Sequence, residues 1–439
     1  MPSHKVLILQ PRSQHSYKQT GVCIPSSMLS STPGPKGSGP SPLIWAASHG
    51  RMETLLRAQS FGLDIYSPKV IYHAAEHGHV SILELLLSNK EAKVDLDYHV
   101  PSAASTAVSI ASRNGHYATV ELLLDHGADL NIPQSRAYKP LHHALINYHP
   151  DVAELLVMRG ANVSATTRVG ETPLHIACEV GSVKMAATLL DHGADISVMC
   201  DLSYTPLHMS VASASASAKL VTLLLERGAD PTATDQQRYT PLDTAIVRGE
   251  FEICKLLMQH IADTSTDSQE WATPLTLAIY HDRPDFVCLF LNEGARLVPA
   301  ESDRGENLFQ AVVLTSQFGA IGVLKVLLEM GADVSAQHQS ENTPLWWASY
   351  HGHLGVMKML LDKDPFIVNA RGSDGETALH AAANWRSADG VRLLLEYGAD
   401  MSLKNDAGKT PSEVASENGC ADTVELLAAY NTADELLHY

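Results

Sequence analysis

Residues 342–353 read NTPLWWASYHGH, placing two of the chain's five tryptophans side by side with Tyr350 and His351 close behind. Such a cluster has the look of an aromatic box for a ligand. The chain also carries 22 His and six Cys, residue types that ligate metals or activate nucleophiles. Their spacing does not suit that chemistry. Cys23, Cys178, Cys200, Cys254, Cys288 and Cys420 are far apart and form no CxxC pair, which disfavours a zinc site or a disulfide framework. There is no HExxH, G-x-S-x-G, P-loop or glycine-rich dinucleotide fingerprint. The acidic residues are scattered, as a solvated surface requires, with no acid/base pair. The expectation is therefore no catalytic residue, no cofactor and no metal: a protein that is not an enzyme.

Lys and Arg total 31 against 49 Asp and Glu, for a net charge of -18. That field repels a phosphate backbone or an anionic membrane and points to protein partners instead. Hydrophobic residues make up 45% of the chain but aromatics only 6%, so a core must be mostly Leu, Ala, Val and Ile. The early run VLIL is too short for a signal sequence, and nothing approaches the ~20 apolar residues of a membrane helix. Scattered cysteines suit a reducing compartment. These features predict an intracellular monomer, cytoplasmic or nuclear.

The elements that place these residues repeat along the chain. Residues 1–40, rich in Ser, Pro and Gly, are expected to form a disordered leader. From residue 41 to 439 a self-similar unit recurs, aligned on a Thr slot at Ser41, Lys69, Thr106, Lys139, Thr172, Thr205, Thr240, Thr273, Glu306, Thr343, Thr377 and Thr410. In ETPLHIACEVGSVKMAATLLDHGADIS, from Glu171, Thr172 is a good helix N-cap and Pro173 suits the first helical position, where no N–H is needed. Leu174, Ala177 and Cys178 share one face, and Gly181 ends the short helix. Leu189 and Leu190 give a second helix its apolar side, and Gly193, Ala194 and Asp195 turn into the next unit. A single helix pair is too small to bury its apolar face, so the pairs must stack. Several units depart from this pattern. Repeat one is followed after a short interval. Repeat two lacks the Gly-Ala-Asp turn. Repeat six has VASASASAK for its inter-helix Gly, repeat seven has Ile261 for the Gly of its turn, and repeat nine lacks Thr and Pro. These are the expected weak points of the stack.

TPLHIA (172–177), KPLHHA (139–144), TPLTLA (273–278) and TALHAA (377–382) resemble the TPLHxA signature of the ankyrin repeat, and most spacings of 33 to 35 residues match its period. The resemblance implies an all-α ankyrin solenoid of about twelve helix-turn-helix repeats with short hairpin connections. It also implies that His142, His175, His208 and His380, in the fourth slot of TPLH, hydrogen-bond locally to hold neighbouring turns together. Trp346 falls in that same slot, and Trp347 in the slot of Ile176, Met209 and Leu277. Both tryptophans are thus expected in inter-repeat core, leaving Tyr350 and His351 outside it.

Ankyrin arrays resemble curved solenoids that bind partners on their concave side, along the tips of the connections and the exposed face of the first helices. Tyr138, Tyr204 and Tyr239 directly precede their Thr slots; Tyr280, Tyr350 and Trp385 lie at the ends of first helices; Arg136, Arg168 and Arg248 are near in register. Tyr and Trp bury large area at little entropic cost, and Arg pairs with acidic groups. These nine residues are the candidate contacts of a groove centred on repeats four to eight. A second reading has the aromatics simply packing against neighbouring fingers. The opening PLIWAASHGRMETLLRA is similar to the first repeat of filamentous-fungal ankyrin proteins, which often carry an F-box just upstream; no F-box-like leucine-rich helix is seen here. The expected function is an interaction scaffold or adaptor. The alternatives are an accessory or regulatory protein of a fungal biosynthetic or signalling pathway, or a substrate receptor of a ubiquitin ligase.

Overall fold

A computed structural model of the chain describes residues 41–89, 91–92, 94–100, 105–132, 138–264, 271–297, 304–335, 342–384 and 387–437. The leader lies outside the described residues. Those described form helix pairs in sequence, from Pro42–Ser48 with Met52–Ser60 to Pro411–Glu417 with Ala421–Leu437.

Repeat five shows why the sequence folds this way. Thr172 caps the helix Pro173–Glu179: its Oγ1 accepts from the His175 N–H, and Pro173 removes a donor that would have no partner. Gly181, at φ 75°, ends the first helix in the left-handed region that a Cβ disfavours. Ser182 then caps Val183–Asp191, its Oγ accepting from the Met185 N–H at 3.3 Å. Leu174, Ile176, Ala177 and Cys178 from the first helix and Met185, Ala186 and Leu189 from the second are all buried. Each large side chain among them contributes roughly 1.5–3 kcal/mol. The first helices of successive repeats pack side by side from repeat one to six and from repeat eight to twelve, and the second helices do so from repeat two to six and from repeat eight to twelve.

A second histidine series links the inter-helix turns. Nε2 of His79, His116, His149 and His353 lies 3.0 to 3.1 Å from the carbonyl oxygens of Ser48, Glu76, Arg113 and Gln317 in the preceding repeat. Gly115, with φ 76°, sits under one of these rings. A Cβ there would come within 2.5 Å of His149 Nδ1.

The irregular repeats find other solutions. In repeat two the helix begins at Pro68, with Ser67 in extended conformation before it, ahead of the Lys69 position, because Pro68 suits the first turn. In repeat six Ser213 replaces the staple histidine, its Oγ donating to the Glu179 carbonyl at 2.5 Å. In repeat seven, with Ile261 at the glycine position, the second helix runs on from Phe251 to Thr264. In repeat nine the helix extends to Arg304–Phe318, and Asn307 ties it to the preceding turn, accepting from the Leu297 N–H at 2.6 Å and donating to Ala295 O at 2.9 Å. In repeat eight Asp282 takes a positive φ of 49°, and its carboxylate accepts from the N–H groups of Gly322 and Val323 at 3.1 and 2.8 Å.

The chain divides into two compact units, one comprising residues up to Thr244 with Lys255–Ile261, the other Ala245–Cys254 with the residues from Ala262 onward. The division falls within repeat seven. Among the described residues no helix is long and apolar enough to cross a membrane.

Candidate functional site

In the first unit the connections of repeats five, six and seven form narrow fingers, each closed by backbone bonds. The N–H groups of Thr167, Cys200 and Asp235 donate to the carbonyls of Glu171, Tyr204 and Tyr239 at 2.9, 3.0 and 2.9 Å. At the tips stand Gly170, Ser203 and Arg238, with φ of 73°, 59° and 67°. Only the glycine adopts this conformation without strain; Ser203 and Arg238 hold it at a cost. Asp235 offsets part of that cost, its Oδ1 accepting from the Gln237 and Tyr239 N–H groups.

The fingers are joined in a row. The Asp201 N–H donates to Val169 O at 3.0 Å and the Gln236 N–H to Leu202 O at 3.4 Å. Gly170 lies so close to the next finger that a Cβ would sit 2.9 Å from Asp201 Oδ1 and 3.0 Å from its backbone N.

Each finger is also held from below by the TPLH histidine of the repeat before it. Nδ1 of His175 accepts from Thr172 N–H and Oγ1 at 3.2 and 2.8 Å, so the ring proton belongs on Nε2, which donates to Tyr204 O at 2.9 Å. His208 repeats this with Thr205 and Tyr239 O, the last bond at 3.2 Å. His380 repeats it in the second unit with Thr377 and Lys409 O. In repeat four the His142 ring spans from the Lys139 N–H to Ala165 O. Burial holds these imidazoles neutral: His142 and its neighbour His143 are pushed down to about 4, and His175, His208 and His380 are lowered for the same reason. The TPLH histidines thus have the local bonding role that the resemblance implied.

Trp346 performs the same task with different chemistry. It is buried, its N–H donates to Thr343 Oγ1, and its indole Nε1 donates to Glu376 Oε2 at 3.1 Å. Glu376 directly precedes the next Thr slot, as Tyr204 and Tyr239 do. Trp347 is half-buried, edge-on to Trp346 and stacked on the exposed His351.

The structure brings together Arg168, Tyr204 and Tyr239 on three successive fingers. Arg168 is exposed; the two tyrosines are half-buried, and Tyr204 stacks on His208 with ring centroids 5.7 Å apart. Tyr138 is half-buried against His142 and His143. Part of each tyrosine is therefore structural, as the packing reading anticipated, and part of its surface is open. Arg248, Tyr280 and Tyr350 belong to the second unit. Tyr280 is 42% exposed and packs edge-on against Phe318 of the next repeat, while Tyr350 is half-buried, stacked at 4.9 Å on Trp346. Arg248 is half-buried at the end of its helix. Arg136 and Trp385 lie outside the described residues.

The tips carry apolar residues that the aromatic search passed over. Val169 and Leu202, at matching finger positions, are 37% and 41% exposed, where the corresponding residues are Gln237, Asp374 and the small Ala407. The signal was available in the sequence as an apolar residue three before the Thr slot. Tyr148 is a second omission. It stands in the inter-helix glycine position at φ 62° and is 65% exposed. Among the described residues no group of three or more His, Cys, Asp or Glu is placed to hold a metal ion. Cys178 is buried, which pushes its thiol pKa up and away from reactivity. What this surface offers is shape, a few exposed apolar side chains and two arginines, Arg168 and Arg238.

A family model for ankyrin repeats matches residues 71–167, 141–235, 209–299 and 308–405, well over half of the chain. Among similar proteins, the transient receptor potential cation channel subfamily A member 1 homolog of Caenorhabditis elegans is 29% identical over 174 residues, covering 40% of this chain and 14% of that protein. The ankyrin repeat and KH domain-containing protein mask-1 of the same organism is 29% identical over 213 residues, 42% of this chain and 8% of that protein. Ankyrin repeat domain-containing protein SAT10 of Stachybotrys chartarum is 28% identical over 165 residues, 36% of this chain and 8% of that protein. The chain spans no more than 14% of the length of these three relatives.

Proposed function

Because the chain belongs to the ankyrin-repeat family, we propose that it is a protein-binding scaffold or adaptor whose partner lies across the fingers of repeats five to seven. The observation that carries this reading is the row of hydrogen-bonded fingers that presents Arg168, Val169 and Leu202 to solvent. A rigid backbone lowers the entropy lost on binding, and the half-buried Tyr204 and Tyr239 behind the tips are suited to anchor a partner at little further cost.

The test is affinity purification of the full chain from its native cells with quantitative mass spectrometry, comparing wild type with an Arg168→Glu/Leu202→Asp variant. Both side chains are exposed and neither holds a finger together, so circular dichroism should not change. Selective loss of specific co-purifying proteins is the expected result. An unchanged set of partners would reject this surface. The identity of what is lost then sorts the roles: ligase subunits would mark a substrate receptor, and biosynthetic enzymes an accessory protein.

A further inference from the structure

Repeat one, the first helix pair among the described residues, has an apolar outward face. Trp45 is 44% exposed, Phe61 80% and Leu63 54%. In internal repeats these slots are buried or reach the repeat before. The Trp45 slot holds Ile176 in repeat five, 1% exposed, and His143 in repeat four, which feels the charge of Arg113 in repeat three. The Phe61 slot, directly after the second helix, holds Arg159, Arg227 and Tyr397, which reach Asp125, Asp191 and Asp362 of the preceding repeat. The Leu63 slot holds the buried Ala128, Ala161 and Ala229. Repeat one therefore has large apolar side chains where contact with a predecessor is expected, whereas the end of a repeat array needs a polar surface or a cover.

The occupant is indicated by the chain itself. Residues 1–40 lead directly into Ser41 and the first helix. They hold Lys5, Arg12, Lys18 and Lys36 with no Asp or Glu, a charge of +4, which leaves 27 basic residues against all 49 acidic ones in the remainder, a balance of -22. Residues 6–9, Val-Leu-Ile-Leu, are an uninterrupted aliphatic run in this segment. The intervening residues 10–40 can extend to about 100 Å, so reach is not limiting. A tethered segment sits at an effective concentration on the order of millimolar, so a modest apolar contact is enough to keep it in place. We infer that Val6, Leu7, Ile8 and Leu9 cover the end face formed by Trp45, Phe61 and Leu63, with the cations around them attracted to the acidic body.

The test places the photo-cross-linker p-benzoylphenylalanine at position 61 of the full-length chain. After irradiation, adducts are mapped by mass spectrometry at monomer and dimer mass. The expected result is adducts to residues 5–10 at monomer mass, reduced at least about tenfold in a Leu7→Asp/Leu9→Asp variant whose circular dichroism is unchanged. Adducts at dimer mass would make this face a contact between copies of the chain and overturn the inference. So would adducts confined to other segments, an absence of adducts, or a yield insensitive to the double substitution.

Discussion

Repeats five and six and repeat ten solve the same problem with different side chains. In the first two a buried histidine caps its own helix through Nδ1 and reaches the next finger's backbone carbonyl through Nε2. In repeat ten the buried Trp346 reaches instead the side chain of Glu376 on the next finger. In repeats five, six and ten the slot holds a ring with a donor at its far edge, and that ring need not be an imidazole. The difference lies in what each ring can do besides: histidine accepts a bond at its near edge and can take up a proton, and tryptophan does neither.

The largest test of that contrast is truncation. His175→Ala should cost about 3 kcal/mol, because it leaves a buried cavity, strands the Thr172 N–H and removes one of the two bonds to the Tyr204 carbonyl. Urea unfolding, followed by exchange protection in residues 198–205, measures it. A loss below about 1 kcal/mol would mean that the finger is held by its own turn rather than by the staple.

Acid provides the next test, since the histidine ring in the slot titrates and the tryptophan ring does not. The folded state keeps His142, His143, His175 and His208 neutral, with lowered pKa, whereas unfolded histidine titrates near 6.5. Below pH 6.5 the unfolded chain therefore binds more protons than the folded one. Stability is fully present above that pH and falls as the pH drops toward the folded values. At pH 5 the loss should be about 2 kcal/mol for His142, whose folded pKa is about 4. Exchange protection measured between pH 7 and 5 should decline most in repeats four to six, and less in the helix Pro344–His351 of repeat ten, where the buried slot residue is Trp346 and the lowered pKa is that of the exposed His351.

Repeat seven extends the contrast. There the slot holds Asp243, buried, with Oδ2 accepting from Thr240 and Oδ1 without a hydrogen-bond partner among the described residues; burial raises its pKa. An aspartate is too short to act as the histidine does. Asp243→Asn should stabilise by about 1 kcal/mol at pH 7 by removing a buried charge, read as an upward shift in the urea midpoint. Trp346→Phe, which keeps the ring but removes the bond to Glu376, should destabilise by a similar amount.

Much of this was legible in the sequence because a short motif carries several structural instructions at once. Thr172, Pro173 and Gly181 fix the start and end of a helix through local sterics and hydrogen bonds, so their spacing alone yields the helix pair. Placing Trp346 in the histidine slot correctly moved it from a ligand box into the core. Its partner Glu376 could not be read this way, because that bond depends on how close the next finger comes. Tyr204 was visible as an aromatic before the Thr slot, but its half-burial depends on the His208 ring it stacks on. The apolar tips Val169 and Leu202 carried a signal in register that a search for aromatics and arginines ignored. The division within repeat seven also depends on packing across many residues, although Ile261 in a glycine position marked the irregularity.

The smallest test concerns a side chain that works against the fold. The inter-helix position that is Gly78, Gly115 and Gly181 in neighbouring repeats is Tyr148 in repeat four, still in the left-handed region at φ 62° and 65% exposed. A non-glycine residue in that region costs about 1 kcal/mol, and an exposed ring recovers little of it by packing. Tyr148→Gly should then stabilise by about 0.5 kcal/mol, since glycine's greater freedom in the unfolded chain offsets part of the relief. Differential scanning calorimetry at neutral pH can resolve a shift of this sign. Destabilisation would mean that the ring makes contacts worth more than the strain it imposes, and repeat four would then hold its inter-helix turn by side-chain packing where its neighbours use glycine.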